Sequence, residues 1–266
     1  MSSSPIDLIE KGVGMTISSS SISASQANVR IASYNAINPC IADLFDRQPI
    51  ECFAQGENMF FQGDLAKHIF EITDGVVRLC KILMDGRRVI SSFLFPSDVI
   101  GLSQTRHFIY GAEAVNAVKI RRISRRSLDE AMDRSPLLRP QIFTSMGIEM
   151  AAAHEQMEML SCKNAEERVC YFLVSLRKRQ IADGLNSIVI DLAMTRLDIA
   201  DHLGMSIETV SRNLTKLTTK GVLADVERFS LRIAKPDVLE ELAGGLWDDA
   251  GDELPSTFSR AVASRH

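Results

Sequence analysis

No stretch of the 266 residues approaches the roughly eighteen consecutive apolar side chains of a membrane-spanning helix. The opening MSSSPIDLIEKGVGM lacks the basic start and apolar centre of a secretory signal, so the chain is expected in the cytoplasm with no membrane partner. Cysteine is scarce. Cys40, Cys52, Cys80, Cys162 and Cys170 are odd in number and show no C-x2-C spacing, which excludes a disulfide scaffold and leaves free thiols as the expectation. The five histidines, His68, His107, His154, His202 and His266, stand apart from one another. No Ser-His-Asp, paired-carboxylate or metal-ligand grouping falls on neighbouring turns. The chain is therefore not read as an enzyme, and neither a metal nor another cofactor is expected.

Positive charge is also short: 30 Lys and Arg face 34 Asp and Glu, a net charge of −4. That total argues against nucleic acid, because phosphate binding relies on cations that displace counterions. The distribution argues the other way. Seven acidic residues and no Lys or Arg lie between Pro236 and Glu253, whereas Arg212, Lys216 and Lys220 face only Glu208 between Ser206 and Gly221. The acidity belongs largely to a tail.

With 45% hydrophobic residues, the chain can bury one sizeable core and a smaller one. Residues 1–35, rich in Ser, Ala and Asn, are expected to form a flexible arm around at most a short helix near Ile6 to Val13. Over 36–134 short apolar stretches near Met59 to Phe61, His68 to Ile72, Val76 to Ile82 and Val89 to Phe95 are punctuated by Gly56, Gly63, Asp74-Gly75, Asp85-Gly86 and Pro96-Ser97-Asp98. This spacing predicts an antiparallel roll, with Asp85-Gly86 closing a tight hairpin. From Ser135-Pro136 the pattern becomes helical. Over 135–162, Phe143, Met146, Met150, Ala153, Met157 and Leu160 recur at alternating intervals of three and four, which fits either a dimer seam or one face of a core helix. A second helix is expected from Asn164 to Gln180, closed by Asp183-Gly184, within a domain spanning 163–240. Residues 241–266 are expected to be a flexible acidic tail.

The most informative segment begins at Thr195. Thr195 can cap a first helix with Asp198 at its third position, and Ile199, Ala200 and Leu203 form the inner face. Gly204 can supply the left-handed residue that ends this helix, and Ser206 can cap the next. Two short helices across such a turn make a helix-turn-helix. In the second helix Val210, Leu214 and Leu217 turn inward, so Ile207, Glu208, Ser211 and Arg212 project together from the end that reaches base edges. Arg212 can donate twice to guanine, Glu208 can accept from cytosine N4, and Ser211 and Ile207 can meet thymine. Thr195, Ser206, Thr209, Thr215, Lys216 and Lys220 are candidates for phosphate, which positions without reading. Gly221 to Leu223 and Phe229 to Ile233 suggest a hairpin wing.

This order of elements resembles the CRP/FNR superfamily of bacterial regulators over roughly residues 40 to 240. The stretch from Leu192 to Gly204 and the pattern Glu208-x-x-Ser211-Arg212 are similar to the FNR and FixK branches. The resemblance implies an α+β chain: an antiparallel β-roll of double-stranded β-helix type, a long dimerisation helix and a C-terminal winged helix-turn-helix. It further implies a homodimer that reads double-stranded DNA at TTGAT-like dyads and works with RNA polymerase. Cyclic-nucleotide binders of this family carry a Gly-Glu pair for the ribose and an Arg-Ser pair for the phosphate, and here these positions read Gly101-Leu102 and Tyr110-Gly111. The charge-assisted bonds a cyclic phosphate needs are missing. Only Cys40 precedes the roll, so the iron-sulfur members' four-thiolate cluster cannot be assembled. A FixK-like regulator active without a small-molecule effector is the expectation. The alternative keeps the same DNA-binding dimer but adds an unidentified ligand in the roll, or a thiol switch at Cys162 and Cys170.

Overall fold

The computed structural model describes residues 40–102, 105–184 and 188–244. The arm expected over 1–35, its short helix, and the tail beyond Gly244 lie outside the described residues.

Eight short antiparallel strands form two facing sheets: β1 (Glu51–Phe53), β2 (Asn58–Phe60), β3 (His68–Asp74), β4 (Val77–Ile82), β5 (Arg88–Leu94), β6 (Val99–Ile100), β7 (Gly111–Ala114) and β8 (Val118–Ser124). Their orders are β1-β8-β3-β6 and β2-β7-β4-β5. Alternation along β3 explains how one strand serves two cores. Phe70 and Ile72 join Phe60, Leu79, Phe108 and Ile120 inside the roll, while Ile69 joins Leu102, Ile123, Leu128 and Leu138 on its outer side. Gly75 turns the chain between β3 and β4 at φ +85°, and a Cβ there would lie 2.3 Å from the Ala117 carbonyl oxygen. Only glycine fits that crossing.

Helix begins earlier than the Ser135-Pro136 boundary suggests. In α1 (Arg125–Arg134) the Ser124 hydroxyl accepts from the Ser127 amide at 3.0 Å, and Leu128 and Ala131 are buried. Its ten residues hold too few apolar positions for a clear period. The 25-residue α2 (Leu138–Cys162) buries Leu138 and Ile142 beside the roll and Met159 at the far end. Lys163 has extended backbone, and α3 (Ala165–Ala182) then starts with a capping box of Asn164 and Glu167.

The C-terminal part consists of β9 (Val189–Asp191), α4 (Arg196–Leu203), α5 (Ile207–Thr219), β10 (Leu223–Val226), β11 (Ser230–Ile233) and α6 (Pro236–Leu242). The wing hairpin gains β9 as a third strand, in the order β10-β11-β9. The first part of the acidic stretch after Pro236 is folded. Leu239 and Ala243 are buried and Glu240 meets Arg177 at 2.8 Å, so the folded chain runs beyond the expected boundary at 240. The few apolar positions of α6 are masked in the sequence by Asp237, Glu240 and Glu241.

A continuous core joins the roll to these helices, because Ile90 and Phe93 of β5 belong to the same cluster as Phe172, Ile199 and Leu203. At its edge the Phe93, Phe172 and His202 rings lie 5.3 to 6.1 Å apart. His202 Nδ1 sits 3.1 Å from the Ile90 carbonyl oxygen. A carbonyl only accepts, so Nδ1 carries the proton of a neutral ring. Beside this apolar contact lies Asp198, 1% exposed. Its Oδ1 accepts from Arg78 Nη1 at 2.9 Å and Arg88 Nη2 at 2.7 Å, while Arg88 Nε reaches Asp201 at 2.8 Å. Arg78 is also paired with Glu113. A buried carboxylate is tolerated only with such partners.

The His202 site gives this docking a pH dependence. Burial lowers the His202 pKa from 6.5 to about 4, so the unfolded chain takes up its proton first as pH falls. The stability of the neutral ring is complete above pH 6.5 and is lost progressively towards pH 4, by at most about 3 kcal/mol. Chemical denaturation at pH 7 and pH 5 should show a larger loss for the wild type than for His202→Gln. Parallel losses would contradict this assignment.

Candidate nucleic-acid interface

Local chemistry builds the two helices of the interface. The Thr195 hydroxyl accepts from the Asp198 amide at 3.1 Å, and Asp198 Oδ2 receives the Thr195 amide at 3.0 Å. This reciprocal capping box starts α4. Gly204 ends it at φ 61° and ψ 42°, left-handed backbone that a side chain would strain. A Cβ there would also crowd the Leu160 side chain at 3.3 Å. Ser206 caps α5, accepting from the Thr209 amide at 3.2 Å. Val210, Leu214 and Leu217 then lock α5 into the core.

The opposite face is open. Ile207, Glu208, Ser211 and Arg212 are all exposed and occupy the first turns of α5. The Ser206 hydroxyl and the Glu208 amide hold the Glu208 carboxyl below its usual range, with a smaller contribution from Arg212. Glu208 is therefore an ionised acceptor and Arg212 an exposed fork of donors, one turn apart.

The candidate phosphate contacts are engaged within the chain. Thr195 donates its hydroxyl proton to Asp198 Oδ2 at 2.8 Å, and Thr215 donates to the Ser211 carbonyl at 3.0 Å. The Ser206 and Thr209 hydroxyls meet at 3.1 Å. Lys216 and Lys220 both pair with Glu166, at 2.5 and 2.6 Å.

Of the seam candidates on α2, Phe143, Met150, Ala153 and Met157 are exposed, Phe143 to 71%. Met146 and Leu160 pack partly against the chain's own cores. All five cysteines are free; Cys162 is exposed, while burial pushes the Cys170 thiol up to about 12. A thiol held protonated is a poor partner for disulfide exchange.

Sequence reading did not anticipate three features. Arg78 and Arg88 clamp Asp198 from 120 and 110 residues away. Glu166 holds the two lysines from 50 and 54 residues away. Arg196 ties α4 to the wing, donating to the Glu227 carbonyl at 2.7 Å. None of these pairings leaves a local signal, although the capping box had already singled out Asp198.

The two roll positions singled out in the sequence, Leu102 and Tyr110, are both engaged within the chain. Leu102 is 4% exposed within the core of Ile41, Phe45 and Ile142. The Tyr110 hydroxyl donates to Glu149 of α2 at 3.4 Å. Among the described residues, no group of three or more His, Cys, Asp or Glu could hold a metal ion. No described helix is long and apolar enough to cross a membrane.

Comparison with known proteins follows the same division of the chain. Residues 167–242 match the Crp-like helix-turn-helix domain and residues 50–135 the cyclic nucleotide-binding domain. The nitrogen fixation regulation protein FixK of Bradyrhizobium diazoefficiens is 34% identical over 191 residues, covering 72% of this chain and 80% of that protein. The transcriptional activator protein Anr of Pseudomonas aeruginosa is 34% identical over 193 residues, covering 72% and 79%. The solved structure of FixK2 from Bradyrhizobium japonicum superposes with a TM-score of 0.69 at 30% identity, covering 73% of this chain and 96% of that one. The two relatives are named as a regulation protein and a transcriptional activator. By fold and by sequence, the chain belongs to the CRP/FNR family of DNA-binding transcription regulators.

Proposed function

We propose that the protein is a homodimeric, sequence-specific regulator that reads a TTGAT-like dyad and activates transcription in the cytoplasm through RNA polymerase. The observation that carries this reading is the exposed face of α5, where ionised Glu208 and the Arg212 fork stand beside Ser211 and Ile207. Arg212 supplies the bidentate donor for guanine and Glu208 the acceptor for cytosine N4. A carboxylate there would only repel a phosphate, so its presence supports base reading over sequence-neutral binding. Thr195, Ser206, Thr209, Thr215, Lys216 and Lys220 flank this face and exchange their internal partners for backbone phosphates.

Reading a dyad requires two copies. Phe143, Met150 and Met157 recur every seven residues on α2, with Ala153 among them, and all are exposed. A second α2 covers this stripe, because seven-residue spacing keeps an apolar seam facing a partner helix. Met146 and Leu160 flank the seam and join it to each protomer's own cores.

The dimer binds without a small-molecule effector. Leu102 fills the roll's outer core and Tyr110 bridges to Glu149, so the contacts that a ligand would supply between roll and dimer helix are made by the chain itself. An effector acts only through its difference in affinity for two states. Here the Asp198 docking already favours one arrangement.

Two substitutions test the two halves of this proposal. Arg212→Ala should cost about 1 to 3 kcal/mol on the preferred site and relax selection at the contacted guanine. Competition binding against random duplex measures it, and equal losses on both DNAs would contradict base reading. Met150→Glu places like charges across the seam and should yield monomers by sedimentation, with dyad affinity lost and half-site affinity retained. A stable dimer with undiminished binding would remove α2 from the interface.

A further inference from the structure

Glu166 lies in the first turn of α3, and its two oxygens are divided between two lysines of the recognition helix. Oε2 receives Lys216 Nζ at 2.5 Å and Oε1 receives Lys220 Nζ at 2.6 Å. The lysine side chains are 54% and 42% exposed, but the glutamate is only 17% exposed beneath them. These hydrogen bonds hold the Glu166 carboxyl below its usual range. Two oxygens of one anion, each on a separate ammonium, reproduce the contact that a backbone phosphate makes through its two unbridged oxygens.

We propose that Glu166 is an internal phosphate surrogate, which occupies Lys216 and Lys220 in the DNA-free protein, competes with the DNA backbone for them, and so limits sequence-independent affinity. The inference rests on reading Lys216 and Lys220 as phosphate contacts. A purely structural role explains the arrangement less well. Val210, Leu214 and Leu217 already fix α5 in the core, and ion pairs whose ammonium groups are about half exposed to water add little to stability. The electrostatic consequence is larger. The trio carries one net positive charge in place of two, so each head offers the duplex one cation fewer.

Neutralising Glu166 returns that cation. The slope of log affinity against log salt should then steepen by about 0.9 for each head that touches DNA. Affinity should rise several-fold at low salt on specific and random duplex alike, because phosphate contacts carry no sequence information. The ratio of the two affinities stays constant.

The test titrates full-length wild type, Glu166→Gln and Glu166→Asp onto a selected dyad and a random duplex of equal length across a salt series. The same titrations are run with Lys216→Gln and Lys220→Gln combined, alone and together with Glu166→Gln. The expected result is tighter binding and a steeper slope for Glu166→Gln on both DNAs, wild-type behaviour for Glu166→Asp, and no gain from Glu166→Gln once both lysines are gone. If the double lysine change weakens binding but Glu166→Gln leaves affinity and slope unchanged or lowered, the surrogate role is wrong and the phosphate reading stands. If the double lysine change leaves binding at the wild-type level, the phosphate reading fails and the surrogate with it. Thermal unfolding of Glu166→Gln should match the wild type, and a marked loss of stability would assign Glu166 to the fold instead.

Discussion

The Asp198 carboxylate sits where three requirements of this molecule meet. One oxygen receives the amide and hydroxyl of Thr195 and so starts the first helix of the DNA-binding motif. The other receives Arg78 and Arg88, which reach out from adjacent strands of the roll. A carboxylate this deeply buried is stable only while its donors are in place, and losing one leaves an uncompensated charge that costs several kcal/mol. Capping and docking are therefore linked. Moving the helix away from the roll would break both arginine contacts of the carboxylate that starts it, while Arg78 would keep only Glu113.

From that anchor the position of the reading face follows through short rigid steps. His202, later on the same helix, closes the contact with its bond to the Ile90 carbonyl and its packing against Phe93 and Phe172. Gly204 turns the chain without a side chain to obstruct Leu160, and Ser206 starts α5 with its inner residues in the core. The orientation of Glu208 and Arg212 is thus set by groups buried behind them. On the roll, Leu102 is packed into the outer core and the Tyr110 hydroxyl donates to Glu149 of α2.

The parts of this architecture that were legible in the sequence are those whose causes are local. Thr195, Asp198, Gly204 and Ser206 act on neighbours within about one helical turn, so spacing alone revealed both helices and the face between them. Glycine turns did the same for the hairpins of the roll. The ten-residue α1, the three-residue β9 and the acidic α6 were hidden because each carries too little apolar pattern to show a period. The ion pairs of Arg78, Arg88 and Glu166 were hidden for another reason: their partners lie 50 to 120 residues away, and a charged residue in sequence looks the same whether it meets solvent or a distant carboxylate. Met146 and Leu160 fit the seam by spacing, and each also packs against a core of its own chain near its own end of the helix, a contact made by residues distant in sequence.

We propose that the free chain already holds its reading head in a DNA-competent position, through Asp198 and without a ligand. The most direct test is titration of the metal-free, colourless protein onto a TTGAT-type dyad with no nucleotide present, beside the Asp198→Asn variant. The account predicts tight wild-type binding that cyclic AMP leaves unchanged, and weaker dyad binding by Asp198→Asn. Wild-type binding that appears only when a nucleotide or a metal centre is supplied, or an Asp198→Asn protein that binds as the wild type does, would contradict it.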